Sequence, residues 1–356
     1  DIGFLCIIYR MSKSKQSSLE KPQQSVVMSP FSVLTPLAQL AVASEGESHD
    51  EILKAIGMPN DHFTKAAFSQ NVQILKSVRG VDFKTANKVY IGNNYQLNED
   101  FATSTRDVFN SEIQNIDFSQ AQRAANEINS WVEDQTNKKI KDLVDPQSLD
   151  AATRAVLVNA IYFKGHWKIP FSPSATNHRP FYVTKNTSIT IPMMSQASDF
   201  KYAEVRELDA TILQLFYEGN DASMILVLPN EVDGITRLEE KLRDPSALND
   251  AIYKMYSTKV EVTIPKFKIE TTTDLKDVLS KMGVKKLFTP GQAHLSKLIE
   301  GEDELEISDA IQKAYIEVNE EGAEAAAANA KRIGTGSEFH SLTAETLKDS
   351  PRKEEL

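Results

Sequence analysis

Residues 313–328 read Lys-Ala-Tyr-Ile-Glu-Val-Asn-Glu-Glu-Gly-Ala-Glu-Ala-Ala-Ala-Ala, and this stretch decides the fold. Ala314, Ile316 and Val318 alternate with other residues, which predicts a half-buried β-strand. The alanine run after Gly322 has two interpretations. It is either a surface helix, because alanine is the best helix former, or a segment with side chains small enough to enter a sheet.

The rest of the chain mixes helical and strand patterns, without an internal repeat or a Pro/Gly/Ser-rich linker. Residues 155–163 form a nearly unbroken apolar run, which predicts a strand buried on both faces. Helix-period stripes begin after Ser29 and recur through Leu275, Leu279 and Met282. A further stripe predicts one helix, and its members are Ile128, Trp131, Val132, Ile140 and Leu143. Helices come mostly early and strands mostly late, which favours a single α+β domain.

Composition and motifs argue against several classes of function. The net charge of −10 disfavours a nucleic-acid binder, and no apolar run reaches the roughly 18 residues of a membrane span. Cys6 is the only cysteine, and no HExxH, GxSxG or phosphate-binding glycine loop is present. We therefore expect no enzyme activity, no cofactor, no metal site, no membrane or nucleic-acid partner, and a monomer.

Six blocks, in this order, resemble the serpin family of protease inhibitors: residues 29–32, 128–133, 157–167, 224–229, 264–268 and 313–322. Among family members the chain is most similar in type to secreted arthropod inhibitory serpins. The resemblance implies an α+β fold with three β-sheets, about nine helices and an exposed reactive loop. It also favours the insertable interpretation of the alanine run.

In the family, a target serine protease attacks the loop, and the cut loop inserts into the central sheet and traps the protease covalently. The resemblance therefore implies a serine-type endopeptidase inhibitor that is consumed as a suicide substrate. The loop hinge would comprise Glu320, Glu321, Gly322, Ala323, Glu324, Ala325, Ala326, Ala327 and Ala328. Side chains alternate in a strand, so Ala323, Ala325, Ala327 and Asn329 would point inward, whereas Glu324 would stay at the surface. Later along the loop Lys331 would point inward and Arg332 outward.

The resemblance also places residues that control opening of the sheet. The polar cluster under the sheet and the region where insertion begins would involve Ser29, Ser32, Asn159, Trp167, Lys266 and Gln312. Gln312 stands where the family often has a histidine, so we expect a hydrogen-bonded cluster that does not titrate. Lys266 would pair with Glu320 at the base of the loop.

Counting from Gly322 by the usual loop length places the scissile bond at Gly336–Ser337. Arg332 is an alternative cleavage position for a trypsin-like protease. Cleavage there shortens the inserting strand by about four residues, so we expect the chain to behave as a substrate of such an enzyme.

The chain after the loop departs from the family pattern, because only residues 337–356 follow and two apolar C-terminal strands have no counterpart. We divide the chain into a serpin domain, 1–330, whose start at Asp1 indicates clipping or processing, and a distal loop with a polar tail, 331–356. This departure supports an alternative function as a non-inhibitory or inactive member, either substrate-like or a binding or chaperone protein of the endoplasmic reticulum.

Two short motifs bear on localisation. Asn186-Thr187-Ser188 is a glycosylation sequon, which is consistent with an extracellular, secreted protein. The terminal residues Lys353-Glu354-Glu355-Leu356 resemble an endoplasmic-reticulum retrieval signal, which is the alternative destination.

Overall fold

The structure is a computed structural model that describes residues 7–10, 25–301, 304–322 and 340–342. Within these residues the chain forms three β-sheets and eight α-helices, with three short 3-10 helices. The α+β prediction with three sheets is therefore confirmed. The helices α1 to α8 span Pro30–Ala43, Gly46–Ile56, Asp61–Ser77, Glu99–Phe109, Ala121–Gln135, Ile235–Lys241, Pro245–Tyr253 and Leu275–Lys281. The 3-10 helices span Pro146–Ser148, Pro173–Ala175 and Lys286–Phe288.

The strands β1 to β13 span Ile7–Arg10, Ser25–Met28, Val81–Gly92, Glu112–Ile116, Ala155–Gly165, Thr176–Thr184, Thr187–Val205, Ala210–Phe216, Ser223–Pro229, Tyr256–Pro265, Phe267–Asp274, Asp309–Val318 and His340–Leu342. One sheet has five strands in the order β11-β12-β5-β3-β4, and another has six, with the path β13-β10-β7-β8-β9 and β6 paired to β7. Strands β1 and β2 form the third sheet. His340–Leu342, which we assigned to the polar tail, is a short strand parallel to β10.

Two neighbouring strands at the centre of the five-stranded sheet run parallel to each other. Strands β12 and β5 are parallel neighbours, with Gln312 opposite Asn159, whereas β11–β12 and β3–β5 are antiparallel pairs. We call the boundary between β5 and β12 the seam. The turn that follows β12, residues 319–322, lies directly beside the seam.

Both faces of the seam are covered. Helix α5 packs one apolar face, which includes Ile128 and Val132, against β3, β5 and Tyr315 of β12. Residues of α1 reach the opposite face, where Leu37 and Leu40 share a core with Leu157 and Ala310. Strand β5 is consequently buried along almost its whole length, as the unbroken apolar run predicted.

Two details of the predicted elements were wrong. The helical stripe through Ile140 and Leu143 ends early, because α5 stops at Gln135 and the backbone turns at Asn137 with φ 52°. Both side chains remain in the core beneath α5, so their burial does not require a helix. Strand β12 is also more than half-buried, because helix α5 and Tyr162 cover Tyr315 on its second face.

Candidate functional site

A buried polar cluster lies beneath the seam, where the start of α1 meets the sheet. The shutter cluster, as we name it, comprises Ser29, Ser32, Asn87, Asn159 and Gln312. Each of the five is less than 10% exposed. Ser29 is the N-cap of α1 and accepts a hydrogen bond from Ser32 N, while Pro30 occupies the first helical turn. The helix cap thus fixes both serines beneath the strands.

The amide of Gln312 bridges the two sides of the seam. Its Nε2 donates to Asn159 Oδ1 at 2.6 Å, to Ser29 O at 3.1 Å and to Ser32 Oγ at 3.2 Å. Ser32 Oγ also donates to Asn159 Oδ1 at 2.9 Å. Amides and hydroxyls hold no titratable proton near neutral pH, so these bonds do not respond to ordinary changes of pH.

Asn87 completes the shutter cluster and was missed in the sequence analysis. It lies directly opposite Asn159 in the antiparallel β3–β5 pair, and its Oδ1 accepts a hydrogen bond from Asn159 Nδ2. Asn159 Nδ2 also donates to Ser32 O at 2.7 Å. Hydrogen-bonded amides therefore run across three strands, from Gln312 through Asn159 to Asn87.

Trp167 closes the upper end of the seam, just after β5. Its indole Nε1 donates to Asn319 O at 2.9 Å, and its backbone N donates to Glu321 O at 3.0 Å. The ring stacks on Tyr217, with centroids 4.6 Å apart and planes at 9°. The tryptophan thus holds the turn from which the loop departs.

That turn is tight and requires glycine. Asn319 and Gly322 form an antiparallel bridge, and Glu321 N donates to Asn319 Oδ1 at 3.1 Å. Gly322 has φ 105°, and a Cβ there would lie 1.8 Å from Gly165 O. Any other residue would collide with the backbone of Gly165 and His166, so only glycine fits this turn.

Glu320 is anchored at the base of the loop. Its carboxylate accepts from Lys266 Nζ and from Thr176 Oγ1, both at 2.9 Å. Burial raises the pKa of Glu320, but the hydrogen bonds from Lys266, its own backbone and Thr176, with the charge of Lys266, outweigh burial and lower it below the ordinary value. Glu320 is therefore held as a carboxylate at neutral pH.

We expect Lys266→Met to lower the melting temperature by about 1 °C at pH 7, and by progressively less as pH falls below the folded pKa of Glu320. Glu320 has a lowered pKa in the folded chain, so its contribution is present above the unfolded value of about 4.3 and is lost as pH falls through the folded value. A half-exposed pair of this kind contributes about 0.5–1 kcal/mol. Thermal melts of the variant and the unaltered chain at several pH values from 3 to 7 measure the difference in melting temperature. Lys65→Met, at an exposed position of α3, is the control, and a pH-independent loss for Lys266→Met would contradict the assignment.

A further contact joins the side chain of Lys313 in β12 to the backbone of the segment that follows α5. Lys313 points from β12 to Glu270, with Nζ and Oε1 2.8 Å apart, and its Nζ also donates to Lys141 O. This lysine therefore joins β12 to β11 and to the backbone of Lys141, which follows α5. A strand that entered between β5 and β12 would pass beneath this contact.

The remaining predicted site residues fall in two groups. Asn186 is exposed in the turn between β6 and β7, where its backbone N lies 3.3 Å from Thr184 Oγ1. The others lie outside the described residues: Ala323, Glu324, Ala325, Ala326, Ala327, Ala328, Arg332, Gly336, Ser337 and the tetrapeptide at 353–356. In the described part of the chain no helix is both long and apolar enough to cross a bilayer, and no group of three His, Cys, Asp or Glu side chains could hold a metal.

Several known proteins are similar to this chain in sequence, and several solved structures are similar to it in fold. Alaserpin of Manduca sexta is 58% identical over 309 residues, which cover 87% of this chain and 79% of that protein. Antichymotrypsin-2 of Bombyx mori is 54% identical, with coverage of 87% and 82%. The crystal structure of Serpin48 from Tenebrio molitor, described as a highly specific serpin, superposes with a TM-score of 0.80 at 35% identity, covering 88% of this chain and 84% of that one. Uncleaved ovalbumin superposes with a TM-score of 0.76 at 30% identity, covering 83% and 80%.

The family model for serpins, described as serine protease inhibitors, matches residues 9–353. The match includes the five-stranded sheet, the shutter cluster and the turn at Gly322. The chain therefore belongs to the serpin family.

Proposed function

We propose that this chain inhibits a serine-type endopeptidase by inserting its cleaved loop between β5 and β12. The observation that carries the proposal is the seam itself. Two parallel strands lie side by side in the sheet, and a tight turn after β12 brings Gly322 back beside Asn319. A strand entering there would run antiparallel to both neighbours.

This arrangement supplies a driving force. Antiparallel pairing is slightly more stable per residue than parallel pairing. An inserted strand would replace one parallel boundary by two antiparallel ones, and so would add a full ladder of backbone hydrogen bonds. The opposing cost is the opening of the Gln312–Asn159 contact and of the Lys313–Lys141 contact.

The bridge between Asn319 and Gly322 sets the register of such a strand. Continued along β12, it would place Ala323 opposite Val318, Ala325 opposite Ile316, Ala327 opposite Ala314 and Asn329 opposite Gln312. All four β12 side chains are buried. Three small alanines would therefore face the core, and the amide of Asn329 would enter the shutter cluster, where it can bond with other amides.

The names of the relatives support an inhibitory role. Close relatives include proteins called antitrypsin and antichymotrypsin-2, both from Bombyx mori. Secretion and glycosylation at Asn186 belong to the same proposal, supported by the exposed position of the sequon. The scissile bond at Gly336–Ser337, the division at residue 330 and a monomeric state stay predictions.

The test is to mix the full chain with pancreatic elastase, whose small specificity pocket suits glycine, and to run denaturing gels. We expect a boiling-resistant band at the mass of elastase plus residues 1–336, because the ester forms at Gly336 and the peptide 337–356 is released. Trypsin, directed to Arg332, should yield mainly cleaved chain. Cleaved chain alone with every serine protease in a panel would contradict inhibition.

A second candidate function is a non-inhibitory binding role. The observation that favours it is Lys331, which the register would place opposite the fully buried Ala310, where an ammonium is unfavourable. Thyroxine-binding globulin in complex with thyroxine is also a structural neighbour, with a TM-score of 0.79 at 28% identity. Rapid, complete cleavage without adducts would support this alternative.

A further inference from the structure

Strand β9 forms one edge of the six-stranded sheet, and its sequence, Ser-Met-Ile-Leu-Val-Leu-Pro, contains no charged residue. Among the strands that the structure describes, β9 pairs with β8 alone. Leu228 is 41% exposed, and the other six residues are only half-buried. An exposed, uncharged edge of this kind offers unpaired backbone groups to a further strand.

The two edges of the five-stranded sheet differ from β9 in charge. Strand β11 carries Lys268 and Glu270, and β4 begins with Glu112. Charged side chains on an edge strand oppose pairing with another chain. Strand β9 has no such protection, so it is the edge that favours pairing.

Hydrogen bonds at the two ends of β9 show which of its backbone groups are open. Tyr217 N donates to Ala222 O, and Asn230 N donates to Asp209 O, both at 3.0 Å. Hydrogen bonding alternates along an antiparallel pair, so the even-numbered residues of β9 direct their backbone groups towards β8. The odd-numbered residues of 223–227 direct theirs away from β8, along the open edge.

A strand that pairs with this edge must be apolar on both of its faces. Met224 and Leu226 pack against one hydrophobic core, whereas Ile225 and Val227 pack against another on the opposite face of the sheet. A charged side chain on either face of the added strand would lie beside these apolar residues, which is unfavourable.

The segments of the sequence outside the described residues do not meet this requirement. Residues 11–24, 323–339 and 343–356 each contain at least four charged residues. Residues 1–6 begin with a charge and are fewer than the seven residues of β9. A second copy of β9 has the required length and the required apolar faces.

We propose that β9 pairs antiparallel with β9 of a second copy of this chain, about a two-fold axis at Leu226. Ile225 and Val227 would exchange backbone hydrogen bonds with the partner's Val227 and Ile225. Met224 would lie opposite the partner's Leu228. A two-fold pairing of this kind uses the same surface on both copies and closes the assembly at a dimer. The inference departs from the monomer expected from the sequence, and it does not rest on the proposed function.

The test is sedimentation velocity of the full chain between about 1 and 200 µM. We expect a reversible monomer–dimer equilibrium with a dissociation constant of about 100 µM or below, because the interface is small. Met224→Lys and Leu228→Glu should each raise this constant at least about tenfold, since each places a charge opposite an apolar side chain. The double variant M224K/L228E should return it to within about threefold of the original value, because the two new charges then face each other across the axis.

Ile189→Glu is the matched control, because Ile189 is a 49% exposed apolar residue of β7, outside β9. It should dimerise as the unaltered chain does, and thermal melts verify that every variant is folded. Hydrogen exchange should slow with concentration at the N–H groups of Ile225 and Val227, but not at that of Leu226. A monomer at every concentration, or a double variant that dimerises no better than the single variants, would overturn the proposal. Neither measurement involves the loop, so this proposal and that of inhibition fail separately.

Discussion

Ala325→Arg is expected to abolish the gain in thermal stability that cleavage of the loop produces. In the proposed register Ala325 faces the same side as Ile316, which is 1% exposed in an apolar core with Val318 and Val262. A guanidinium there would be buried without a partner, which costs several kcal/mol. Insertion should therefore stop before residue 325 enters the sheet.

The measurement compares melting temperatures before and after cutting at Lys331 with a lysine-specific endopeptidase, which does not attack the introduced arginines, with the cut site verified by mass. The unaltered chain should gain about 5–10 °C, because a stabilisation of several kcal/mol shifts a chain of this size by about 1–2 °C per kcal/mol. Ala325→Arg should gain less than about 3 °C. Before cutting, the two should melt together within about 2 °C.

Glu324→Arg is the control, since it introduces the same side chain one residue earlier. That position would lie opposite the half-buried Glu317, on the other face of the strand, where a charged side chain can reach water. It should keep most of the gain. An equal gain in both arginine variants would refute the register, and no gain in the unaltered chain would refute insertion.

The sequence identified most residues of the shutter cluster, but it did not identify the contacts between them. Ser29, Ser32, Asn159 and Gln312 were identified from a resemblance of motifs, and the structure brings their side chains within hydrogen-bond distance. Asn87 was not predicted, because only the register of β3 on β5 places it opposite Asn159, which lies 72 residues further along the chain. Non-local pairing of this kind leaves no periodicity in the sequence.

Burial was similarly harder to predict than secondary structure. The alternation in β12 predicted the strand correctly, but the burial of Tyr315 depends on α5, which lies far away in sequence. Ile140 and Leu143 continued the apolar spacing of α5 because they share its core, although the backbone has left the helix. The deep burial of Ala310, Gln312 and Ala314 makes the loop residues on that face decisive, because an inserted side chain there has little solvent around it.

Exchanging Ala330 and Lys331 is expected to increase the stability of the cleaved chain. The proposed register places Lys331 opposite Ala310, which is fully buried in the core that contains Leu157, Leu305 and Ile307. Residue 330 would lie opposite the half-buried Ile311, on the face where a lysine can extend towards water. The double variant A330K/K331A moves the ammonium from one face to the other without changing composition, net charge or Arg332.

Cut after Arg332, the exchanged chain should melt about 5–10 °C above the unaltered cut chain, because an unpaired buried ammonium costs several kcal/mol. The uncut forms should melt within about 2 °C of each other. Lys331→Ala should reproduce the gain, which separates removal of the buried charge from the added lysine. With elastase the exchanged chain should also trap more enzyme per chain consumed, since insertion that completes faster competes better with release of the cut product. If the exchange leaves the melting temperature of the cut chain unchanged, the strand stops before Ala310, and the lysine has no part in limiting inhibition.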